Sequence, residues 1–223
     1  MPVTTPHPRI LMNANLRSFY QAKAINSNPN WVALKADADG FAAKQVISWN
    51  QTNIHLWTPN YIFYGYYGYN YEEAIWPLAM AHVLTKTNNL GVANPTIYSD
   101  KMVQLADSLL AANYRPENNC AGCEGIFSGN GYYADRFVGM TVGLIFDYCY
   151  DELGAARRAN LVTMMNEWFD KMKVFGYQAN GRATGNYFFG NVYGAAAMGY
   201  ATFGDNPRAA ELINQDSGAL GAS

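Results

Sequence analysis

Residues 135–151 read DRFVGMTVGLIFDYCYD, and residues 154–175 read GAARRANLVTMMNEWFDKMKVF. In the first stretch Phe137, Thr141, Leu144 and Tyr148 recur at steps of three and four. In the second, Leu161, Met165, Trp168, Met172 and Phe175 do the same. Such steps place side chains on one face of a 3.6-residue helix, whereas a half-buried strand alternates every second residue. Only a short link separates the two stripes, so the helices are expected to fold back on each other as an antiparallel hairpin.

Working outward, the same pattern repeats. A helix is expected from about Asn15 to Ile25, and a break at Asn26 to Pro29. A second helix runs from about Asn30 to Ser48, with Trp31, Leu34, Ala38, Phe41 and Gln45 or Val46 near helical spacing. Asn70 can cap a third helix while Glu73 reaches back. Ile75, Leu78, Ala79 and His82 share its face, and Pro77 predicts a kink or a later start. Asn94-Pro95 reads as an N-cap followed by proline at the first helical position. That helix would turn Met102, Val103, Ala106, Leu109 and Leu110 inward and stop near Asn113. A helix from Asn186 to Phe203 carries Gly190 and Gly194 four apart, a spacing that permits close backbone approach. Gly204 to Pro207 is a turn, and Arg208 to Ile213 starts a last helix. Strand signals are nearly absent. The expected fold is all-α, with about eight helices in successive hairpins forming a curved or closed array over residues 1–223.

Composition narrows the function. Of 223 residues only 14% are charged and the net charge is -2, against about 25% charged in ordinary domains. A nucleic-acid partner would call for a basic stripe, and none is visible. The longest apolar stretch, Phe137 to Tyr150, carries Asp147 and falls short of the roughly 18 residues of a membrane span. Met1 to Asn13 holds three prolines and no apolar core of a signal peptide. Aromatic residues reach 15%, with 17 tyrosines. Flat rings with few charges suit neutral or weakly charged polar ligands. Weak long-range steering argues against a strongly sulfated one.

The densest aromatic segment runs from Tyr61 to Tyr71, with six tyrosines and Phe63 interleaved with Gly65 and Gly68, and Trp57 just upstream. Too many hydroxyls gather there for all to be buried and satisfied. Trp57, Tyr64, Tyr66 and Tyr67 are therefore candidate ligand-facing rings, although an irregular flap over the core fits the same residues. Tyr132 and Arg136 form a second candidate spot, where Asp135 and Arg136 can equally be a helix-start ion pair.

Cys120 and Cys123 make a CxxC in the polar stretch Pro116 to Gly131, and Cys149 stands apart. Zinc would need two further ligands. His7, His55 and His82 are isolated in sequence from each other and from the cysteines, so no metal is expected. P-loop, dinucleotide and HExxH signatures are missing too, and no cofactor is expected.

Three blocks together resemble a family. They are His7-Pro8-Arg9-Ile10-Leu11 with Trp31 at the next helix start; Tyr133-Ala134-Asp135-Arg136 running into Phe146-Asp147-Tyr148-Cys149-Tyr150-Asp151-Glu152-Leu153; and Gly185-Asn186-Tyr187 running into Phe203-Gly204-Asp205-Asn206-Pro207-Arg208. They are similar to the N-terminal (α/α) toroid of heparinase II/III-like and alginate-lyase-like polysaccharide lyases. The resemblance implies an incomplete toroid, with further helices and a C-terminal β-sandwich lying outside this chain, in a periplasmic or extracellular protein. It also implies a polysaccharide or oligosaccharide partner and cleavage of a uronate-containing glycan by β-elimination.

That chemistry neutralises a carboxylate, removes the adjacent proton and protonates the leaving oxygen. Asn186 matches the family asparagine as carboxylate neutraliser, and as a helix opener it would sit at a favourable place for an anion. It can equally be a plain N-cap. Tyr187 stands where the family often has histidine. Tyr187 and Tyr193, the latter two turns on from Asn186, are the candidate proton-transfer groups, and Arg182 can add positive charge.

Two other functions stay open: a non-catalytic helical module that binds glycan or protein, and a toroidal glycoside hydrolase. For the hydrolase, Glu72 or Glu73 would pair with Glu124, Asp135 or Asp147.

Overall fold

The computed structural model describes residues 6–44, 69–111, 132–175 and 186–214. Among them are eight helices: α1 (Ala14–Ile25), α2 (Pro29–Ala43), α3 (Tyr69–Thr85), α4 (Ile97–Ala111), α5 (Tyr132–Tyr148), α6 (Tyr150–Phe175), α7 (Asn186–Thr202) and α8 (Ala209–Asn214). No strand occurs among the described residues, where Phe203 and Asn206 form only an isolated bridge. The protein is all-α. None of the described helices is long and apolar enough to cross a membrane.

Local chemistry accounts for the helix ends. The Asn13 side chain accepts the Leu16 amide at 2.9 Å and opens α1. Asn28 accepts from the Asn30 amide with Pro29 in the first turn of α2. Three expectations need correction. Helix α2 ends at Ala43 and not near Ser48, α3 starts at Tyr69 and runs through Pro77 instead of starting later, and α4 begins later than Asn94-Pro95. There the Asn94 carboxamide accepts the Thr96 amide at 3.2 Å, closing a turn of its own before the helix. The ladder then starts where the Asp100 amide donates to Thr96. Gly154, at φ 69°, breaks α6 after one turn, which agrees with a helix starting there.

The helices form two layers. Helices α1, α3, α5 and α7 touch in succession, α2, α4 and α6 do likewise, and each helix also meets its neighbour in sequence. Helix α5 lies at the centre, with every residue from Val138 to Cys149 buried, so its single stripe understated its role. A helix enclosed on all sides by others is apolar all round.

Directions follow from specific contacts. An added Cβ at Gly139 would lie 2.9 Å from Gly194 Cα, and one at Gly143 3.0 Å from the Ala197 carbonyl carbon. Both numbers rise together, so α5 and α7 run parallel. His82, late in α3, and Lys86, just past its end, meet Glu152 just past the end of α5, so α3 runs the same way. The start of α3 meets the end of α4 through Tyr71 and Ser108, as an antiparallel hairpin requires.

Helix α8 is clamped onto α6. Arg208 bonds both Asp170 oxygens at 2.6 and 2.8 Å and pairs with Glu211, which also takes Lys173 at 2.8 Å. The Arg208 guanidinium, helped by Lys173, holds the Asp170 and Glu211 carboxyls at about 2. Carboxyls depressed on folding stabilise the native state above their unfolded values near 4, and that contribution is lost as pH falls toward 2. Arg208→Ala is therefore expected to flatten the loss of stability between about pH 5 and 2. At pH 7 it should cost only about 1 kcal/mol, because the pairs are partly solvated. Urea midpoints across that pH range check both.

Candidate functional site

Two ends of the α3–α5–α7 layer differ in kind. At the C-terminal end, Asp147 is the organising group. Its side chain has no exposed surface, yet it accepts His7 Nδ1 at 2.5 Å, the Arg9 amide at 2.6 Å and the Ile10 amide at 2.7 Å. The Tyr148 hydroxyl donates to the Ile10 carbonyl, and Arg9 Nη1 donates to the Phe203 carbonyl at 2.5 Å. The His7 ring stacks on Tyr150 at 3.9 Å, and the Arg158 guanidinium covers that ring at 4.1 Å. Tyr150 in turn donates to Asp205 at 2.7 Å. This contact and the nearby Asp205 charge raise the Tyr150 phenol.

His7, Arg9 and Ile10, Asp147, Tyr148 and Tyr150, and Phe203 and Asp205, one part of each of the three sequence blocks, thus meet here around one carboxylate. Their contacts are those of a latch that fastens the lead-in segment across the ends of α5 and α7. Asp147 is correspondingly unsuited to serve Glu72 as a hydrolase partner. Its oxygens are occupied, and it lies at the opposite end of the layer from the first turn of α3.

Beside this latch, folding joins residues that are remote in sequence. His82, Cys149 and Glu152 each bring one ligand-type atom within 4.8 Å of the others. Burial pushes the Glu152 carboxyl up, but His82 and Lys86 beside it prevail and hold it at about 2. Burial pushes the Cys149 thiol up.

The N-terminal end is where the expected site residues belong. Helices α3, α5 and α7 start at Tyr69, Tyr132 and Asn186, and as parallel neighbours they open toward the same side. Asn186 is the first residue of α7, as expected of a helix opener; its side chain and those of Tyr187, Tyr132 and Arg136 lie outside the described residues. So do Trp57, Tyr64, Tyr66, Tyr67 and Arg182 entirely, together with the CxxC at Cys120 and Cys123.

Tyr193 is described, and it is 49% exposed. Partial burial, with a smaller contribution from the Glu72 carboxylate, raises its phenol. A phenol held in its neutral form is better placed to give a proton than to take one.

Phe189 and Tyr200, both exposed, continue the line of Tyr193 along α7 at helical spacing. Reading by motif overlooked both. The helix signal was legible, but nothing local distinguished its exposed face from its buried one. No family model matches the chain, and neither a curated protein nor a solved structure is similar enough to it to count as a match.

Proposed function

We propose that the chain is a carbohydrate-active helical domain, a segment of an (α/α) toroid whose ligand lies at the N-terminal end of α3, α5 and α7. The reaction favoured is β-elimination on a uronate-containing glycan. The observation that carries the reading is the parallel course of these three helices. Parallel helices direct their free amide ends to one side, where a carboxylate is stabilised. Tyr69, Tyr132 and Asn186 begin the helices at that same side, and the aromatic residues 57–67 precede Tyr69 in sequence.

In this scheme Asn186 and the first amides of α7 receive the uronate carboxylate. Tyr193, neutral at working pH, protonates the leaving oxygen, and Tyr187 is the candidate base. Trp57, Tyr64, Tyr66, Tyr67 and Tyr132 offer stacking faces, and Arg136 and Arg182 offer charge. A periplasmic or extracellular location belongs to the same proposal.

Across a panel of alginate, heparan sulfate and less charged uronans, at least one weakly charged member is expected to generate the ultraviolet absorbance of the new double bond. Tyr193→Phe, which keeps the ring and loses the hydroxyl, should lower kcat about a hundredfold or more. Silence of this chain, and of any longer natural product containing it, would overturn the reading. Reducing sugar released without absorbance would instead indicate a hydrolase. The exposed line Phe189, Tyr193 and Tyr200 favours a second reading, a binding module. Its mark would be saturable glycan binding without turnover, weakened by Tyr193→Ala.

A further inference from the structure

His82, Cys149 and Glu152 meet where α3 packs against the α5–α6 turn. The imidazole comes from late α3, the thiol from the turn between α5 and α6, and the carboxylate from the first turn of α6. His82 is 3% exposed and Cys149 is fully buried. His82 Nε2 faces Glu152 Oε1 at 3.4 Å without hydrogen-bond geometry, Nδ1 has no partner, and Glu152 Oε2, also closed off from water, makes no hydrogen bond. Buried polar atoms are ordinarily partnered, and leaving one bare is costly. A bare imidazole and a bare carboxylate oxygen beside a thiol call for one ligand that can engage them together, taking one of the two ring nitrogens.

We propose that His82, Cys149 and Glu152 bind one zinc-class divalent cation. A tetrahedral ion with bonds of about 2.0–2.3 Å holds neighbouring ligand atoms roughly 3.3–3.8 Å apart. His82 Nε2 and Glu152 Oε1 are already 3.4 Å apart. Met102 Sδ, from α4, lies 3.9 Å from Cys149 Sγ, close to the spacing of a fourth vertex. Nitrogen, thiolate and carboxylate together select a borderline-soft ion over magnesium or calcium. Charge balances as well. The cation displaces the Cys149 proton to solvent, and the resulting thiolate and the Glu152 carboxylate neutralise its two charges.

Lys86 is the competing cation, 2.9 Å from Glu152 Oε1 and equally close to Asp151. It can remain on Asp151 while Glu152 turns its bare Oε2 to the ion. Bound there, the ion would staple α3 to the α5–α6 turn, beside the Asp147 latch.

The test uses protein carrying Cys120→Ser and Cys123→Ser, so that the CxxC cannot contribute. Titration with cobalt(II) is expected to give one ion per chain and a thiolate-to-cobalt charge-transfer band, which zinc displaces. The band should vanish in Cys149→Ser, and zinc affinity should fall by about a hundredfold in His82→Gln and Glu152→Gln. Absence of the band, or its survival in Cys149→Ser, would overturn the proposal. If Cys149→Ser does not fold, as judged by far-ultraviolet circular dichroism, the other two variants decide. Unchanged zinc affinity in both would be equally fatal.

Discussion

Asp147→Ala is expected to lower the stability of the fold by about 3–5 kcal/mol, the usual cost of removing one partner from a buried, charged hydrogen-bonded group. That is a large fraction of the roughly 5–15 kcal/mol available to a natural domain. The carboxylate is the common acceptor for His7 Nδ1 and for the Arg9 and Ile10 amides. Alanine leaves two backbone donors and an imidazole without it, and it frees the segment that carries Arg9 to Phe203 and Ile10 to Tyr148. Asp147→Asn should lie between, since the amide keeps one acceptor oxygen but turns an N–H toward a donor. His7→Ala should cost less than either, because both backbone bonds survive it. Urea titrations at pH 7 on the three variants give the order. A loss below about 1 kcal/mol for Asp147→Ala would show that the latch contributes little.

The second large effect is expected where α5 and α7 touch. A Cβ at Gly139 would stand 2.9 Å from Gly194 Cα, and the atom in its way is backbone, which cannot rotate aside. Gly139→Val must therefore separate the two helices. Overpacking of a tight core contact typically costs about 1–3 kcal/mol, and a branched side chain against backbone belongs at or beyond the upper end. Gly139→Ala should cost less, since alanine recovers about 1 kcal/mol of helix propensity. Gly40 is the control. It lies in α2, and a methyl group added there would meet nothing within 4 Å, so Gly40→Ala should stabilise by about 0.5–1 kcal/mol. Thermal melts of the three variants should show opposite signs at Gly40 and Gly139. Equal small shifts would mean that the helices slide apart without cost.

Gly194 illustrates how far the sequence was legible. Its spacing from Gly190 announced a close helix contact, but the partner, Gly139, was invisible because nothing local encodes which helix will come near. The stripe Leu161, Met165, Trp168 and Met172 was readable and is buried, since a one-sided helix declares its buried face by period. The stripe assigned to α5 was too narrow, because a helix enclosed on all sides has no polar face to mark the limit. Asn94-Pro95 misplaced a helix start by letting a turn-forming side chain pass for a cap.

The candidate site divides similarly. The motifs His7-Pro8-Arg9-Ile10-Leu11 and Asp147-Tyr148 were recognisable one by one. Only the structure shows that they hold each other, and that their role at that rim is fastening.

Residue order alone determined that this chain is helical, where most helices lie, and that it carries few charges and many tyrosines. Those properties are local or additive, so period, caps and composition suffice to read them. Tertiary structure decided that α3, α5 and α7 run parallel, that Asp147 is a buried anchor, and that His82 meets Cys149 and Glu152. Such meetings depend on which helix faces pack together, a choice made by the whole core at once and written in no single segment.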